Sequence, residues 1–248
     1  YLLTPYSQNA QVPKIVFFTG GNSLMPEDIY SSFISKIKTK YEVKVIKNTY
    51  DSAGNNKNSI TLLSNLYEYS MEGPILPIGH SSGCTTLLNF CSKLNKIDKC
   101  ILLDPVNNNV NDIKYEKFKS VLQINAEKTY KWKYNTGMEL LKNPIPKVPF
   151  IPAFSLDTSK FKNISKMEVL DYGHCDILDT AFSNVMHKSF AEGTENRESL
   201  DDYKYFLLSL IDSYVNDELN TLEDGNINGI EYRLSLIHIS EPTRRSVI

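Results

Sequence analysis

Short apolar runs alternate along this chain with stretches in which apolar residues recur every three or four positions. Lys14 to Phe18 (KIVFF) reads as a buried strand that ends at Thr19-Gly20-Gly21-Asn22-Ser23, a glycine loop. Pro26-Glu27-Asp28 opens a helix with Tyr30, Phe33, Ile34 and Ile37 on one face. Tyr41 to Ile46 alternates as a strand, and Ser59 to Tyr69 reads as a helix with Leu62, Leu63 and Leu66 inward. Further strands are predicted at Ile75 to Ile78, Cys100 to Leu103, Ser120 to Ile124 and, as the last, Met167 to Leu170. A helix follows Ser199, with Leu200, Tyr203, Phe206, Leu207, Leu210, Ile211 and Tyr214 on its apolar side. Strands alternating with helices imply crossover connections and a mostly parallel sheet with helices on both faces, an α/β protein. Chemistry in such sheets gathers at the carboxyl ends of the strands.

Four polar groups stand at those ends: Gly20-Gly21, Ser81, Asp104 and His174. Gly79-His80-Ser81-Ser82-Gly83 fits the G-x-S-x-G pattern, with an apolar run before it and a helical pattern from Thr85 to Leu94 after it. Strand, serine, helix is the context a nucleophile elbow requires, and its tight turn needs small residues on either side of the serine. His174, in the loop after the final predicted strand, is the candidate base for Ser81. Of the other histidines, His80 lies inside the elbow, His187 reads as a surface residue and His238 falls in the tail.

The acid is open between two positions. Asp104 stands at a strand end, restricted by Pro105, and is preferred; Glu127 follows the next strand and is its rival. Asp157 and Asp171 are weaker alternatives, and Asp176 reads as a helix N-cap or loop-fixing carboxylate. An oxyanion hole would use the amide of Ser82, after the nucleophile, and that of Gly21 after the first strand. The alternative for Gly20-Gly21 is an ordinary turn.

The order Ser, Asp, His is that of the α/β-hydrolases, and the chain resembles their chlorophyllase and chlorophyllase-like branch. The likeness rests on Gly79 to Gly83, on Leu103-Asp104-Pro105-Val106 and on Asp171 to Asp179. It implies an α/β-hydrolase fold and a triad of Ser81, Asp104 and His174. Pancreatic-type lipases are similar in carrying the acid on an Asp-Pro pair beyond the serine, which favours Asp104. The implied activity is carboxylic ester hydrolysis through an acyl-enzyme, chlorophyllase-like or lipase/esterase-like, on an apolar small-molecule ester and without a cofactor. A serine elbow argues against the dehalogenase variant of the fold, which needs a carboxylate nucleophile. The alternative from another class is a catalytically silent protein of the same fold that binds a hydrophobic small molecule.

Composition narrows the rest. With 248 residues and formal net charge -2, the chain fits one domain and offers no polyanion-seeking surface, so nucleic acid is not an expected partner. No apolar run of membrane-spanning length is present. Cys84, Cys91, Cys100 and Cys175 show no paired spacing, which fits a reducing, intracellular compartment. No histidine and cysteine spacing suits a metal. Asp224 to Gly229 opens like a calcium loop, but Ser235 occupies the position owed a bidentate Glu, so a plain Asn/Gly turn is expected. Residues 129–166, with Trp132, Tyr134, Phe150 and Phe154 among four prolines, read as an insertion or lid for an apolar group. From Leu234 onward the sequence resembles the translation of a sequencing adapter, so the domain is expected to span 1–233, with 234–248 as a non-native tail. The first residue is Tyr1 rather than Met, and a missing N-terminus is expected.

Overall fold

The computed structural model describes residues 11–47, 59–95, 97–106, 113–130, 158–189, 192–219 and 224–238. The strands are β1 (Lys14–Phe18), β2 (Val43–Ile46), β3 (Ile75–His80), β4 (Ile97–Leu103), β5 (Phe118–Ala126), β6 (Asn163–Val169), β7 (Gly225–Ile227) and β8 (Ile230–His238). The helices are α1 (Gly20–Ser23), α2 (Ser31–Lys38), α3 (Ser59–Glu72), α4 (Gly83–Cys91), α5 (Thr180–Ser189) and α6 (Leu200–Val215). The strands form one sheet in the order β2-β1-β3-β4-β5-β6-β8-β7, parallel from β2 to β6 and antiparallel at β8 and β7.

Both faces of β1, β3, β4 and β5 are largely buried, which is why their sequences read as apolar runs rather than alternating ones. In β1, Ile15 and Phe17 pack with Phe33, Ile34 and Ile37 of α2 and Phe206, Leu207 and Leu210 of α6. Val16 and Phe18 point the other way, to Leu62 and Leu66 of α3 and Leu87 and Leu88 of α4. Each fully buried side chain of this size contributes about 1.5–3 kcal/mol. A strand with two buried faces therefore anchors both helical layers at once. With a mostly parallel sheet, a tight strand–serine–helix turn after β3 and helices on both faces, this is the α/β-hydrolase fold.

Register brings the strand ends to one rim: Phe18 pairs with Gly79, His80 with Leu103, Leu103 with Ile124 and Ala126 with Val169. The order also reverses between β1 and β3, so the loops leaving these two strands flank the crevice where ligands bind in such sheets.

Two features differ from the sequence expectation. The helix expected at Pro26 begins as a 3₁₀ turn over Glu27–Tyr30 and continues as α2. The strand at Met167 is not the last. Asp224 to Gly229 holds the expected Asn/Gly turn, at the tip of the β7–β8 hairpin: Asn228 and Gly229 take φ of 54° and 85°, and Asn226 Oδ1 accepts the Gly229 amide at 2.7 Å. Two successive positive φ values are what a tight hairpin turn demands, and Asn-Gly supplies them cheaply. β8 then pairs with β6 across the expected boundary at 233/234, with Leu234 opposite Met167 and His238 opposite Asn163. Most of the expected insertion (131–157), and with it Asp157, lies outside the described residues, as do residues 239–248.

Candidate active site

The turn between β3 and α4 places Ser81 in the left-handed region, at φ 56°. A non-glycine residue there costs of order 1 kcal/mol or more and persists only where its surroundings over-determine it. They do so here. The Ser81 amide donates to the Leu103 carbonyl at 3.0 Å, and the Ser81 carbonyl accepts the amides of Cys84 at 3.1 Å and Val106 at 3.2 Å. The two glycines are required by close approach. A Cβ on Gly83 would lie 2.3 Å from the Thr19 carbonyl oxygen, and one on Gly79 would lie 2.8 Å from the Cys84 Cα.

His174 sits in the loop after β6, its Nε2 2.9 Å from Ser81 Oγ. Asp176 fastens this loop. One carboxylate oxygen accepts the amides of Gly173 at 2.9 Å and Thr194 at 2.8 Å, while the other accepts Arg197 Nη1 at 2.7 Å. Asp176 is thus a buried loop-fixing carboxylate, the reading its sequence position suggested. Gly173 leaves no room for a side chain, because a Cβ would fall 1.9 Å from the Glu192 carbonyl oxygen.

Asp104, at the end of β4, is buried with φ 44°. Its Oδ1 accepts the Ala126 amide at 2.8 Å and the Thr129 hydroxyl at 2.7 Å. Its Oδ2 faces His174 Nδ1 at 3.9 Å. Glu127 points elsewhere: Oε2 accepts the exposed amide of Asp171 at 2.9 Å. Asp171 itself accepts Lys128 Nζ and the Thr194 hydroxyl.

Gly20 and Gly21 form a helical turn, α1, rather than an open loop, with the Ser23 amide on the Thr19 carbonyl and the Met25 amide on that of Gly20. Gly21 has φ 61°, and a Cβ there would meet Met25 Cγ at 3.2 Å, so the Met25 side chain lies against it. The Gly20 amide donates to Tyr30 Oη at 2.9 Å. Ser82 follows Ser81 as a buried residue at the start of α4.

Behind the serine, His80 Nδ1 lies 2.8 Å from Tyr30 Oη and His80 Nε2 lies 3.0 Å from the His174 carbonyl oxygen. The two imidazoles stack at 4.7 Å between centroids. Ligand atoms of His80, Asp104 and His174 lie within 4.8 Å of one another, a donor set that chain spacing does not reveal. A metal there would have to displace Tyr30 or the His174 carbonyl from His80.

Burial governs protonation. It holds His174 well below the usual imidazole range, helped by the neighbouring His80, and lowers His80 to about 4. Burial also raises Asp104 to about 7, opposed by the hydrogen bonds from Thr129 and Ala126. Both imidazoles are therefore neutral near pH 7.

The structure brings Ser81, His174 and Asp104 to one rim, with Gly21 and Ser82 on the loops beside them. Sequence reading passed over Tyr30, Thr129, Thr194 and Arg197. Tyr30 read as one more core position on a helix face, and the rest lie in segments without periodicity. No protein-family model and no curated protein matches the chain. Among solved structures it is similar to the crystal structure of a predicted CIB-like hydrolase from Thermoplasma acidophilum. Identity is 10%, TM-score 0.44, and the match covers 82% of this chain and 88% of that one.

Proposed function

We propose that this protein is a serine hydrolase of carboxylic esters, with Ser81 as nucleophile, His174 as base and Asp104 as the acid that orients it. The observation that carries this reading is the 2.9 Å approach of a neutral, buried imidazole to a serine hydroxyl held at a left-handed elbow. Ser81 Oγ attacks the ester carbonyl as its proton passes to His174 Nε2. The tetrahedral oxyanion is held by the amides of Gly21 and Ser82. His174 then gives the proton to the departing alkoxide, and water, deprotonated by the same nitrogen, releases the acid from the acyl-enzyme.

Apolar groups beside the site support an apolar ester. Leu24 and Met25 stand 54% and 39% exposed just beyond the Gly21 turn. The likeness of the elbow, the Asp-Pro pair and the His174 segment to chlorophyllases, and of the Asp-Pro pair to lipases, sets those as the first ester classes to try. The 3.9 Å between Asp104 and His174 favours a second reading, a silent member of the fold that binds a hydrophobic small molecule without acylation. A fluorophosphonate probe decides between them. Labelling of wild type but not Ser81→Ala, with turnover of p-nitrophenyl esters, is expected; an unlabelled wild type that still binds the ester sinks the hydrolase reading.

A further inference from the structure

Four polar groups behind the nucleophile form one hydrogen-bonded chain with a fixed direction. At one end the Gly20 amide can only donate; at the other the His174 carbonyl can only accept. The contact at 3.0 Å therefore requires a proton on His80 Nε2. In a neutral imidazole the other nitrogen is then bare, so Nδ1 accepts and the Tyr30 hydroxyl donates to it at 2.8 Å. Tyr30 Oη in turn accepts from Gly20 at 2.9 Å. Each link leaves no alternative for the next. Tyr30 and His80 are almost fully buried, so water offers neither a substitute partner.

The ends of this chain matter to the reaction proposed above, on which this inference rests. Gly20 belongs to the turn that carries Gly21, and the His174 carbonyl fixes the backbone of the base. The His80 ring stacks on that of His174 at 29° between planes, while Tyr30 meets His80 edge-on at 72°. Space is tight throughout: a Cβ on Gly20 would lie 2.9 Å from Tyr30 Oη and 3.7 Å from His80 Nδ1. Packing at this density transmits small displacements rather than absorbing them.

We infer that Tyr30 and His80 are positioning residues that lock the oxyanion turn and the catalytic imidazole to each other through the chain Gly20–Tyr30–His80–His174. Neither touches substrate. They set the distance between the amide that receives the oxyanion and the nitrogen that takes the proton.

The test compares wild type, Tyr30→Phe, His80→Gln, His80→Phe and Tyr214→Phe, the last removing a buried hydroxyl that bonds Ser120, remote from the site. Rates of fluorophosphonate labelling, and kcat and KM on p-nitrophenyl acetate, are read beside thermal melting. Tyr30→Phe is expected to lower kcat about 10- to 100-fold with KM little changed. Tyr214→Phe should leave kcat alone at a similar loss of stability. His80→Gln, which keeps a donor for the His174 carbonyl, should recover part of what His80→Phe loses. Nitrogen-15 spectra of wild type should show His80 as the neutral Nε2–H tautomer, a readout that needs no folded variant. A proton on Nδ1 instead, or Tyr30→Phe at wild-type kcat, overturns the inference while leaving a labelled Ser81 intact. A wild type that the probe does not label takes both readings down.

Discussion

Asp104 Oδ2 and His174 Nδ1 face each other at 3.9 Å, too far for a hydrogen bond and too close for a solvent shell. The other oxygen of Asp104 is held by Ala126 and Thr129, so the carboxylate cannot swing freely. Closing the gap needs a shift of about 1 Å in the His174 loop, the scale on which such contacts tighten when a substrate binds.

Asp104→Asn is therefore expected to lower kcat by about 10³-fold or more, since the imidazolium loses its orienting charge. Glu127→Gln should change kcat by less than about threefold, because Glu127 serves an exposed loop amide. Steady-state kinetics on one p-nitrophenyl ester checks both. The reverse pattern would move the acid to Glu127.

The same carboxyl sets the pH response. His174 ionises well below the usual range, so the rise in kcat/KM should centre on Asp104, near pH 7, and vanish in Asp104→Asn. Stability runs the opposite way. A carboxyl raised from 3.8 to about 7 keeps its proton longer in the folded state, so the stability it contributes is lost as pH rises between those values. Asp104→Asn should erase that loss, worth at most ~4 kcal/mol, and be the more stable protein at pH 8. Urea unfolding at pH 5 and pH 8 measures it; equal pH slopes for both proteins would count against the assignment.

Arg197 is remote from Ser81 in sequence but controls the loop that carries His174. Arg197→Ala strands the buried Asp176 carboxylate, which should cost about 3–5 kcal/mol. Arg197→Lys should recover only part, since Arg197 also reaches the Ser183 hydroxyl at 2.6 Å and Asn184 Oδ1 at 2.9 Å. Chemical denaturation of the two variants, with the fluorophosphonate rate alongside, checks both stability and placement.

The adapter-like sequence starts inside β8, which gives a direct test of the domain limit. Among the described side chains of that strand, Ile230 and Tyr232 are the buried ones, and both precede the boundary. A chain ended after Arg233 should fold, about 2 kcal/mol less stable for the lost pairing and partly buried Leu234. A chain that no longer unfolds cooperatively would place the residues after 233 inside the folding unit.

The parallel sheet was legible because β1, β3, β4 and β5 bury both faces and so appear as unbroken apolar runs. The elbow was legible because its glycines and serine are adjacent in the chain. β8 was not: it is an antiparallel strand between β6 and the short edge strand β7, with a mixed pattern, and its second half carries the adapter likeness. Asp104 was placed at a strand end, but its partners Ala126 and Thr129 belong to a different strand end, a relation that only register supplies. Tyr30 was expected in the core and is there, yet nothing in a helical repeat distinguishes a tyrosine that packs from one that also passes on a hydrogen bond.

Gly83 presses against the carbonyls of Phe18 and Thr19 with no space for even one methyl group. The helix behind Ser81 and the strand that feeds the Gly21 turn must then travel as a single block. If the proposed ester hydrolysis holds, accommodation of bulky or slender esters falls to whatever borders that block, and Met25, an unbranched thioether lying over Gly21, is a side chain suited to yield. Breadth of substrate choice in this protein would thus be tuned at its rim, leaving the reacting atoms undisturbed.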